Sequence, residues 1–173
     1  WVIGGNAGNS GFKNDVWYST DGVNWVQATA NAGWSARYDN TTVVFDNKMW
    51  VMGGRDNNYN SPTLGFKNDV WYSSDGVNWI QATAAAGWTP RIGHTSVVYN
   101  NKMWVIGGQK YAIGGQGIDY GLLIDSWYSS DGVNWAQAGA APQLPATISI
   151  SHSNFNLQSG NSTILTATLK DNA

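Results

Sequence analysis

A segment of about fifty residues recurs through most of this 173-residue chain, and it limits the fold more than any other feature. Residues 11–34 and 65–88 are identical at 21 of 24 positions, and residues 125–138 carry a shorter third copy. A second block, TTVVFDNKMWVMGG from Thr41 and TSVVYNNKMWVIGG from Thr95, alternates with the first. Repeats of this length indicate an architecture that is built by stacking one supersecondary unit.

Each unit divides into four short strands that are separated by turn residues. The first two strands are predicted over 95–99 and 102–106, joined by an Asn–Asn pair that tolerates positive φ. The third and fourth are predicted over 70–73 and 79–83, joined at Asp75–Gly76. Strands such as KMWVI are apolar on both faces, so they must be covered on both sides. A four-stranded sheet stacked between copies of itself is typical of a β-propeller blade.

Several landmarks of the unit resemble those of kelch repeats and of the galactose oxidase central-domain-like superfamily. A double glycine ends the second strand, a Tyr precedes a Trp by seven positions, and an Arg opens the next unit. These residues are Gly4, Gly5, Gly53, Gly54, Gly107, Gly108, Tyr18, Trp25, Tyr72, Trp79, Tyr128, Trp135, Arg37 and Arg91. The resemblance covers residues 1–140 and implies an all-β fold, a partial kelch-type β-propeller of just under three four-stranded antiparallel blades.

The alternative is the Asp-box of sialidase-like propellers, which is similar to Ser-x-Asp-x-Gly-x-x-Trp. The chain has SSDGVNW from Ser73, one residue shorter between Asp and Gly, and its double glycines favour kelch. In either arrangement we expect the repeated tryptophans to be core rings between blades, each removing about 150–250 Å² from water. They are Trp17, Trp25, Trp71, Trp79, Trp127 and Trp135.

The sequence near the end of the chain no longer follows the repeat. Residues 141–146 are predicted to be a proline-containing linker, and residues 147–173 alternate in two strand-like runs. The sequence NLQSGNSTILTATLKDNA resembles the N-terminal segment of bacterial immunoglobulin-like domains. This resemblance implies the first strands of an Ig-like β-sandwich in a secreted or cell-surface protein. We therefore expect the remaining blades and the rest of the Ig-like domain to belong to the same full-length chain.

Composition excludes several classes of function. Charged residues make up 12% of the chain and the net charge is −2, which is not a nucleic-acid-binding footprint. No apolar run reaches the roughly 20 residues of a membrane span. The chain has no Cys and no Glu, and two His, so neither a Tyr–Cys copper site nor a sialidase Tyr–Glu pair can form, and no metal or other cofactor is expected. His94 and His152 are interpreted as structural and as an exposed strand residue, respectively.

Six of the 11 aspartates recur once per unit, and a single catalytic site does not need three copies; the non-recurring Asp39, Asp56 and Asp119 remain formally available for catalysis. We interpret the recurring aspartates as turn and cap residues, and we expect this chain not to be an enzyme. They are Asp15, Asp69, Asp125, Asp21, Asp75 and Asp131.

Recognition is more plausible where the copies differ, in the loops 6–14, 55–68 and 109–124. The candidate ligand-binding residues are Tyr59, Tyr111, Tyr120, Arg55 and Lys110, together with Trp34 and Trp88 in the connections between units. The repetition of Trp34 and Trp88 leaves packing open as the alternative for both.

These observations predict a non-catalytic binding or scaffold module of a secreted or cell-surface bacterial protein, recognising protein or carbohydrate through propeller loops. The alternative is an accessory propeller of a larger secreted carbohydrate-active enzyme whose catalytic residues lie elsewhere.

Overall fold

The computed structural model describes residues 1–114 and 117–139, and this part of the chain is all-β, without an α-helix. One turn of 3₁₀ helix spans Gly8–Ser10. The strands are β1 (Val2–Asn6), β2 (Phe12–Tyr18), β3 (Val26–Thr29), β4 (Arg37–Tyr38), β5 (Thr41–Phe45), β6 (Lys48–Met52), β7 (Arg55–Asp56), β8 (Val70–Ser73), β9 (Ile80–Thr83), β10 (Thr95–Tyr99), β11 (Lys102–Gly114), β12 (Gly117–Ser129) and β13 (Ala136–Gln137). The predicted linker at 141–146 and Ig-like segment at 147–173 lie outside the described residues.

The strands form three antiparallel sheets. Sheet 1 has the order β1-β2-β4-β7, with β3 also paired to β2. Sheet 2 has the order β5-β6-β8-β9 and sheet 3 the order β10-β11-β12-β13. The four-stranded antiparallel sheets predicted for the second and third units are confirmed.

Local turn chemistry sets the hairpins. Asn100 and Asn101 adopt φ values of 49° and 53° between β10 and β11, as the Asn–Asn pair predicts. Asp46 and Asn47 do the same between β5 and β6, with φ values of 50° and 54°. The loop from β8 to β9 is held by Asp75, whose Oδ1 accepts hydrogen bonds from the backbone amides of Val77 and Asn78, both at 2.8 Å. The interpretation of this repeated aspartate as a turn residue is confirmed.

The double glycine lets two backbones approach closely where β6 leaves sheet 2. Gly54 has a φ of +93° and donates its amide to the Arg91 carbonyl at 3.0 Å. A Cβ atom at Gly54 would lie 2.7 Å from the Tyr38 carbonyl oxygen, which no side chain allows.

The sheets pack face to face through tryptophan rings. Between sheets 1 and 2, Trp34 meets Trp79 edge to face, with ring centroids 5.9 Å apart and an interplanar angle of 87°. Trp88 and Trp135 repeat the same geometry between sheets 2 and 3. The buried apolar residues around these rings include Val16, Ala32, Phe45, Trp50, Met52, Val70, Ala86, Met103 and Val105.

Trp25 differs from the other rings that were expected between sheets. Its side chain is 43% exposed, whereas Trp79 and Trp135 at the equivalent position contact the tryptophan of the neighbouring sheet. Within the described residues no sheet lies against this face of sheet 1. The core position predicted for Trp25 is therefore not observed among the described residues.

The variable segment 109–124 is also different from the loop that was expected. It extends β11 and β12 into one long hairpin, with pairs running from Gly108↔Leu123 to Gly114↔Gly117. The run KYAI can continue the strand because β-branched and aromatic residues suit a pleated surface. The variable positions of the third unit that the structure describes therefore lie on a regular ladder.

Candidate ligand-binding surface

The variable segments of the second and third units meet at Phe66. Arg55 forms an isolated bridge with Phe66 and pairs with Tyr38 across β4 and β7. In the hairpin, Tyr111 and Tyr120 are directly opposite partners. Their ring centroids lie 6.3 and 6.1 Å from that of Phe66, within the range of aromatic contact.

Arg55 is held at the centre of this group. Its guanidinium carbon lies 5.0 Å from the Tyr59 ring centroid and 5.3 Å from that of Phe66, so it contacts two aromatic faces. Its Nε donates a hydrogen bond to the Leu64 carbonyl at 3.1 Å. Partial burial acts to lower the pKa of Arg55, but interactions with the phenol groups of Tyr38 and Tyr120 raise it above its ordinary value. The cation is therefore fixed in place by the rings around it.

We call this group the aromatic cluster, and its members are Tyr38, Arg55, Tyr59, Phe66, Tyr111 and Tyr120. Phe66 is buried at its base, with 2% of its surface exposed. Tyr59 and Tyr120 are 53% and 41% exposed. The cluster thus presents two phenol side chains, one from each variable segment, on a buried aromatic support.

A small cavity of about 70 Å³ adjoins the cluster on the side of Tyr111. Its lining residues are Pro62, Thr63, Phe66, Thr89, Pro90 and Tyr111. The volume suits a small aliphatic group, and the two prolines give it stiff walls.

The loop that carries Tyr59 is internally braced. Asp56 pairs with Lys67 at 2.6 Å and accepts a hydrogen bond from the Asn58 amide at 3.0 Å. Burial acts to raise the pKa of Asp56, but these contacts with Lys67 and Asn58 outweigh it and lower the pKa. The Ser61 hydroxyl accepts a hydrogen bond from the Gly65 amide at 2.8 Å. Most polar groups near the base of the loop are thus used to hold its shape.

Of the seven predicted contact residues, the structure brings Arg55, Tyr59, Tyr111 and Tyr120 together. Lys110 is exposed, but it lies on the other face of the hairpin, since successive side chains of a strand alternate and Tyr111 faces Phe66. Its aliphatic chain runs over Gly121, its cross-strand partner. The prediction that Lys110 flanks the tyrosines is wrong.

Trp34 and Trp88 are each 1% exposed, and their rings fill the spaces between sheets. The two tryptophans therefore serve in packing, which was the alternative to ligand contact, and their rings are not accessible to a ligand. The repeated arginines Arg37 and Arg91 are likewise buried and serve the structure.

Sequence reasoning missed Phe66 and Tyr38 as members of the cluster. Phe66 belongs to the repeated run GFKND and therefore reads as a structural landmark; its counterpart Phe12 contacts Tyr38 with ring centroids 4.5 Å apart. A possible signal was the absence of this run from the third unit, where the long hairpin supplies Tyr111 and Tyr120 instead.

His94 is buried between sheets 2 and 3. Its Nε2 lies 2.8 Å from the Thr41 hydroxyl, and the same hydroxyl contacts that of Ser96. Burial, together with the positive charge of Arg91, lowers the pKa of His94 to about 4. The neutral ring is a packing element of the interior, in keeping with the structural role predicted for it.

The described residues contain no group of three or more His, Asp or Glu side chains that is placed to hold a metal ion. A helix of the length and apolarity required to cross a membrane is not found in this part of the chain.

No family model matches the sequence. The chain is similar to a Drosophila melanogaster protein named leucine-zipper-like transcriptional regulator 1 homolog, with 29% identity over 112 residues. The match covers 62% of this chain and 12% of the Drosophila protein.

Proposed function

We propose that this chain is a non-catalytic binding module built from kelch-type β-propeller blades, with the aromatic cluster as its ligand contact. The observation that carries the proposal is the exposure of Tyr59 and Tyr120 beside the buried Phe66 and the partly buried Arg55. Both tyrosines come from segments in which the otherwise repeated sequence varies.

Support for blades comes from the way successive sheets pack. Two four-stranded antiparallel sheets follow one another in the chain, and the joints on both sides of sheet 2 use the same edge-to-face tryptophan pair. In a β-propeller each blade packs on the next through equivalent contacts, so a contact that repeats between repeated sheets favours this architecture.

A protein surface is the ligand class that the cluster fits best. Tyr and Arg provide much of the binding energy at protein interfaces, because they bury large rigid surfaces at a small cost in conformational entropy. The Tyr59 loop and the hairpin are also braced before any ligand binds, which reduces the entropy that binding must overcome. The adjoining cavity would take one small aliphatic side chain of the partner.

Carbohydrate is the second ligand class, and one observation favours it. Asn57, Asn58 and Asn60 are exposed and lie on either side of Tyr59 in the sequence, so amide side chains are neighbours of an exposed ring along the chain. An aromatic face flanked by amides matches the apolar and hydroxyl surfaces of a sugar.

The proposed setting is extracellular or on a bacterial cell surface, and it rests on the resemblance of residues 147–173 to bacterial Ig-like domains. In the same setting the chain would serve equally as an accessory propeller of a larger carbohydrate-active enzyme. The cluster would then bind the polymer on which a separate catalytic domain acts.

The test is binding of the 173-residue chain to a printed oligosaccharide array and to a panel of purified bacterial and host surface proteins. Tyr59→Ala combined with Tyr120→Ala should weaken any specific binding at least about tenfold, since aromatic anchors commonly contribute about 2 kcal/mol or more. The matched control is Tyr99→Ala, which removes a phenol that is 69% exposed outside the cluster. Equal binding by the double variant and the control would overturn the proposal.

A further inference from the structure

The three arginines of the chain are anchored in the same way, but their outer nitrogens differ in what they bind. In Arg37, Arg55 and Arg91, Nε donates a hydrogen bond to a backbone carbonyl at 3.1 Å. Nη1 and Nη2 of Arg37 then hold Asp69, and those of Arg91 hold Asp125. Among the side chains that the structure describes, no carboxylate forms an ion pair with Arg55. Arg55 therefore presents the same pair of nitrogens that binds an aspartate in the other two arginines.

The aromatic cluster orients the guanidinium group of Arg55 and leaves it accessible. The guanidinium carbon lies 5.0 and 5.3 Å from the ring centroids of Tyr59 and Phe66. The side chain is partly exposed, whereas Arg37 and Arg91 are 1% and 0% exposed. An acceptor on another molecule can thus reach Arg55, and it loses little conformational entropy on binding because the side chain is already held by its neighbours.

Two phenol groups add to the donors at this position. Tyr38 and Tyr120 lie close enough to interact with the guanidinium group of Arg55. A phenol oxygen that accepts a hydrogen bond from a cation keeps its own O–H as a donor, and the polarisation of the group strengthens that donor. A carboxylate at Arg55 would therefore accept hydrogen bonds from the guanidinium nitrogens and from a phenol group.

The charge around Arg55 fits one negative charge. Lys67 forms an ion pair with Asp56 at 2.6 Å, and Lys110 lies on the other face of the hairpin. Among the described side chains of the cluster, Arg55 is thus the one cation that a ligand would meet. Phosphate groups are bound by clusters of arginines, whereas a single planar guanidinium group matches the two oxygens of a carboxylate.

An apolar recess lies beside the charged position. Phe66 and Tyr111 belong to the aromatic cluster and also line the cavity of about 70 Å³. The side chain of Phe66 therefore separates Arg55 from the cavity by about the width of a ring. In an extended peptide, side chains two positions apart point to the same side and lie roughly 7 Å from each other, which matches this separation.

We propose that the aromatic cluster recognises an extended segment of a partner protein that carries an aspartate or glutamate and, two positions away, a small aliphatic residue such as valine. Nη1 and Nη2 of Arg55 hold the carboxylate, and the aliphatic side chain enters the cavity beside Tyr111. This inference rests on the protein-binding function proposed above and adds the chemistry of the segment that is bound.

An acidic sugar is the other source of a carboxylate, and the cavity favours the peptide. Two prolines and two aromatic rings form most of its wall. A sugar ring that entered this space would bring hydroxyl groups into an apolar environment, where an unpaired hydroxyl group is costly. An aliphatic side chain carries no such group.

The experiment measures binding of the 173-residue chain to pools of short peptides with acetylated and amidated ends. The first pool contains Asp-x-Val with all other positions randomised, and matched pools contain Asn-x-Val, Asp-x-Gly, or Asp and Val as direct neighbours. The Asp-x-Val pool should bind at least about tenfold more tightly than the Asn-x-Val pool, because asparagine keeps the shape of aspartate but removes a charged hydrogen bond. The other two pools should also bind more weakly, since each removes the aliphatic residue or its spacing.

Variants of the chain assign the preference to Arg55. Arg55→Gln should bind the Asp-x-Val and Asn-x-Val pools equally. Tyr120→Phe keeps the ring and removes the hydroxyl group, and it should reduce the preference for aspartate at least about threefold even if Arg55→Gln fails to fold. The matched control is Lys110→Ala, which removes a cation from the other face of the hairpin and should retain the full preference.

Three results would overturn the inference: a wild-type chain that does not prefer aspartate, a preference that survives in Arg55→Gln, or binding of polygalacturonate, a polymer of uronic acid, without binding of the peptides. The last result would assign the carboxylate to a carbohydrate. The proposed function fails by a different result, namely unchanged binding of a partner by the double variant of Tyr59 and Tyr120. A partner that requires these two rings but binds Arg55→Gln as it binds the wild type would overturn the present inference alone.

Discussion

Arg37 and Asp69 are joined by two hydrogen bonds although 32 residues separate them. Nη1 donates to Oδ1 at 2.6 Å and Nη2 donates to Oδ2 at 2.9 Å, and Nη1 also reaches the Gly53 carbonyl at 3.0 Å. The pair is almost completely buried and ties β4 of sheet 1 to the residue that precedes β8, the third strand of sheet 2. Arg91 and Asp125 form the same arrangement in the next unit, at 2.7 and 2.9 Å.

Asp69→Asn should therefore lower the free energy of unfolding by about 3–5 kcal/mol, because the substitution leaves the buried guanidinium of Arg37 without a counter-charge. Chemical unfolding followed by tryptophan fluorescence measures this change.

The matched control is Asp46→Asn, which breaks the Asp46–Lys48 ion pair at 2.9 Å. That carboxylate is 70% exposed, so the expected loss is about 0–1 kcal/mol. Equal losses in the two variants would mean that the buried pair adds nothing beyond an exposed one.

The sequence predicts those parts of the fold that depend on neighbouring residues. The Asn100–Asn101 hairpin and the Asp75 turn follow from local chemistry, and both are observed. The Arg37–Asp69 pair was missed because each residue alone reads as a repeat landmark, and only the folded sheet brings them together. The recurrence of aspartate was rightly interpreted as structural, but Asp69 acts as an ion-pair partner rather than a cap.

The candidate surface was predictable to a similar extent. Sequence variation located Tyr59 and Tyr120 in the right segments, but the side of the hairpin on which each residue lies depends on strand register. That register separates Tyr111 from Lys110, and the sequence does not reveal it because the variable segment has the composition of a loop. Trp25 shows a different limit of the sequence: the repeat predicts a core position for this ring, but the ring is buried only where a neighbouring sheet packs on it.

His94 should make stability depend on pH in a mildly acidic window. Its folded pKa is about 4, below the ordinary value of 6.5, so between these values the unfolded chain binds a proton that the folded chain excludes. Stability should be constant above pH 6.5 and fall as the pH decreases towards 4, by about 3 kcal/mol in total. Equilibrium unfolding at a series of pH values gives this profile.

The comparison variant is His94→Asn, since Asn40 occupies the equivalent place in the preceding unit. This variant should be nearly flat from pH 6.5 to 4. Below about pH 4 both proteins should lose stability, because hydrogen bonds from the residues that follow them lower the pKa values of the turn aspartates Asp21, Asp75 and Asp131. Burial acts to raise the pKa of Asp131, but the hydrogen bonds outweigh it and the pKa falls to about 2. If the stability of His94→Asn still falls between pH 6.5 and pH 4, the pH dependence in this range must be assigned to another titrating group.

Gly132→Ala should destabilise the protein more than Gly22→Ala. Both glycines have nearly the same φ, +75° and +76°, so the backbone strain is matched. At Gly132 the added methyl group also meets the Trp50 indole, which costs about 1–3 kcal/mol more. The difference between the two variants in the free energy of unfolding, measured by chemical unfolding at concentrations where the chain is monomeric, gives the contribution of the contact between Trp50 and residue 132 alone. Equal losses of stability would mean that this contact accommodates the methyl group without cost.

Removal of metal ions should leave the stability unchanged. The repeated aspartates of the turns accept hydrogen bonds from backbone amides and from asparagine side chains, so their lone pairs are already engaged. Thermal unfolding with and without EDTA should give superimposable transitions. A decrease of several degrees with the chelator would indicate a cation site and contradict the prediction.

Arg55→Lys should loosen the loop that carries Tyr59 while leaving the sheets intact. A lysine keeps the charge but loses the planar contact with two rings and the Nε hydrogen bond to the Leu64 carbonyl. Amide hydrogen exchange should become faster for the protected loop amides, such as those of Asp56 and Leu64, which bond to carbonyls within the same loop. Exchange at Val51 and Val70, which pair in the ladder of sheet 2 with Trp71 and Met52, should not change.

Lys110→Ala is the matched control, because it removes a cation of the neighbouring segment that lies on the other face of the hairpin. It should leave exchange in the Tyr59 loop at the wild-type rate. If the cluster is a preorganised contact surface, Arg55→Lys should also weaken binding to whichever array member or surface protein the wild type recognises, although Arg55 itself is only partly exposed. Faster exchange with unchanged binding would show that the shape of this loop is irrelevant to recognition, and would leave the hairpin with Tyr120 as the contact.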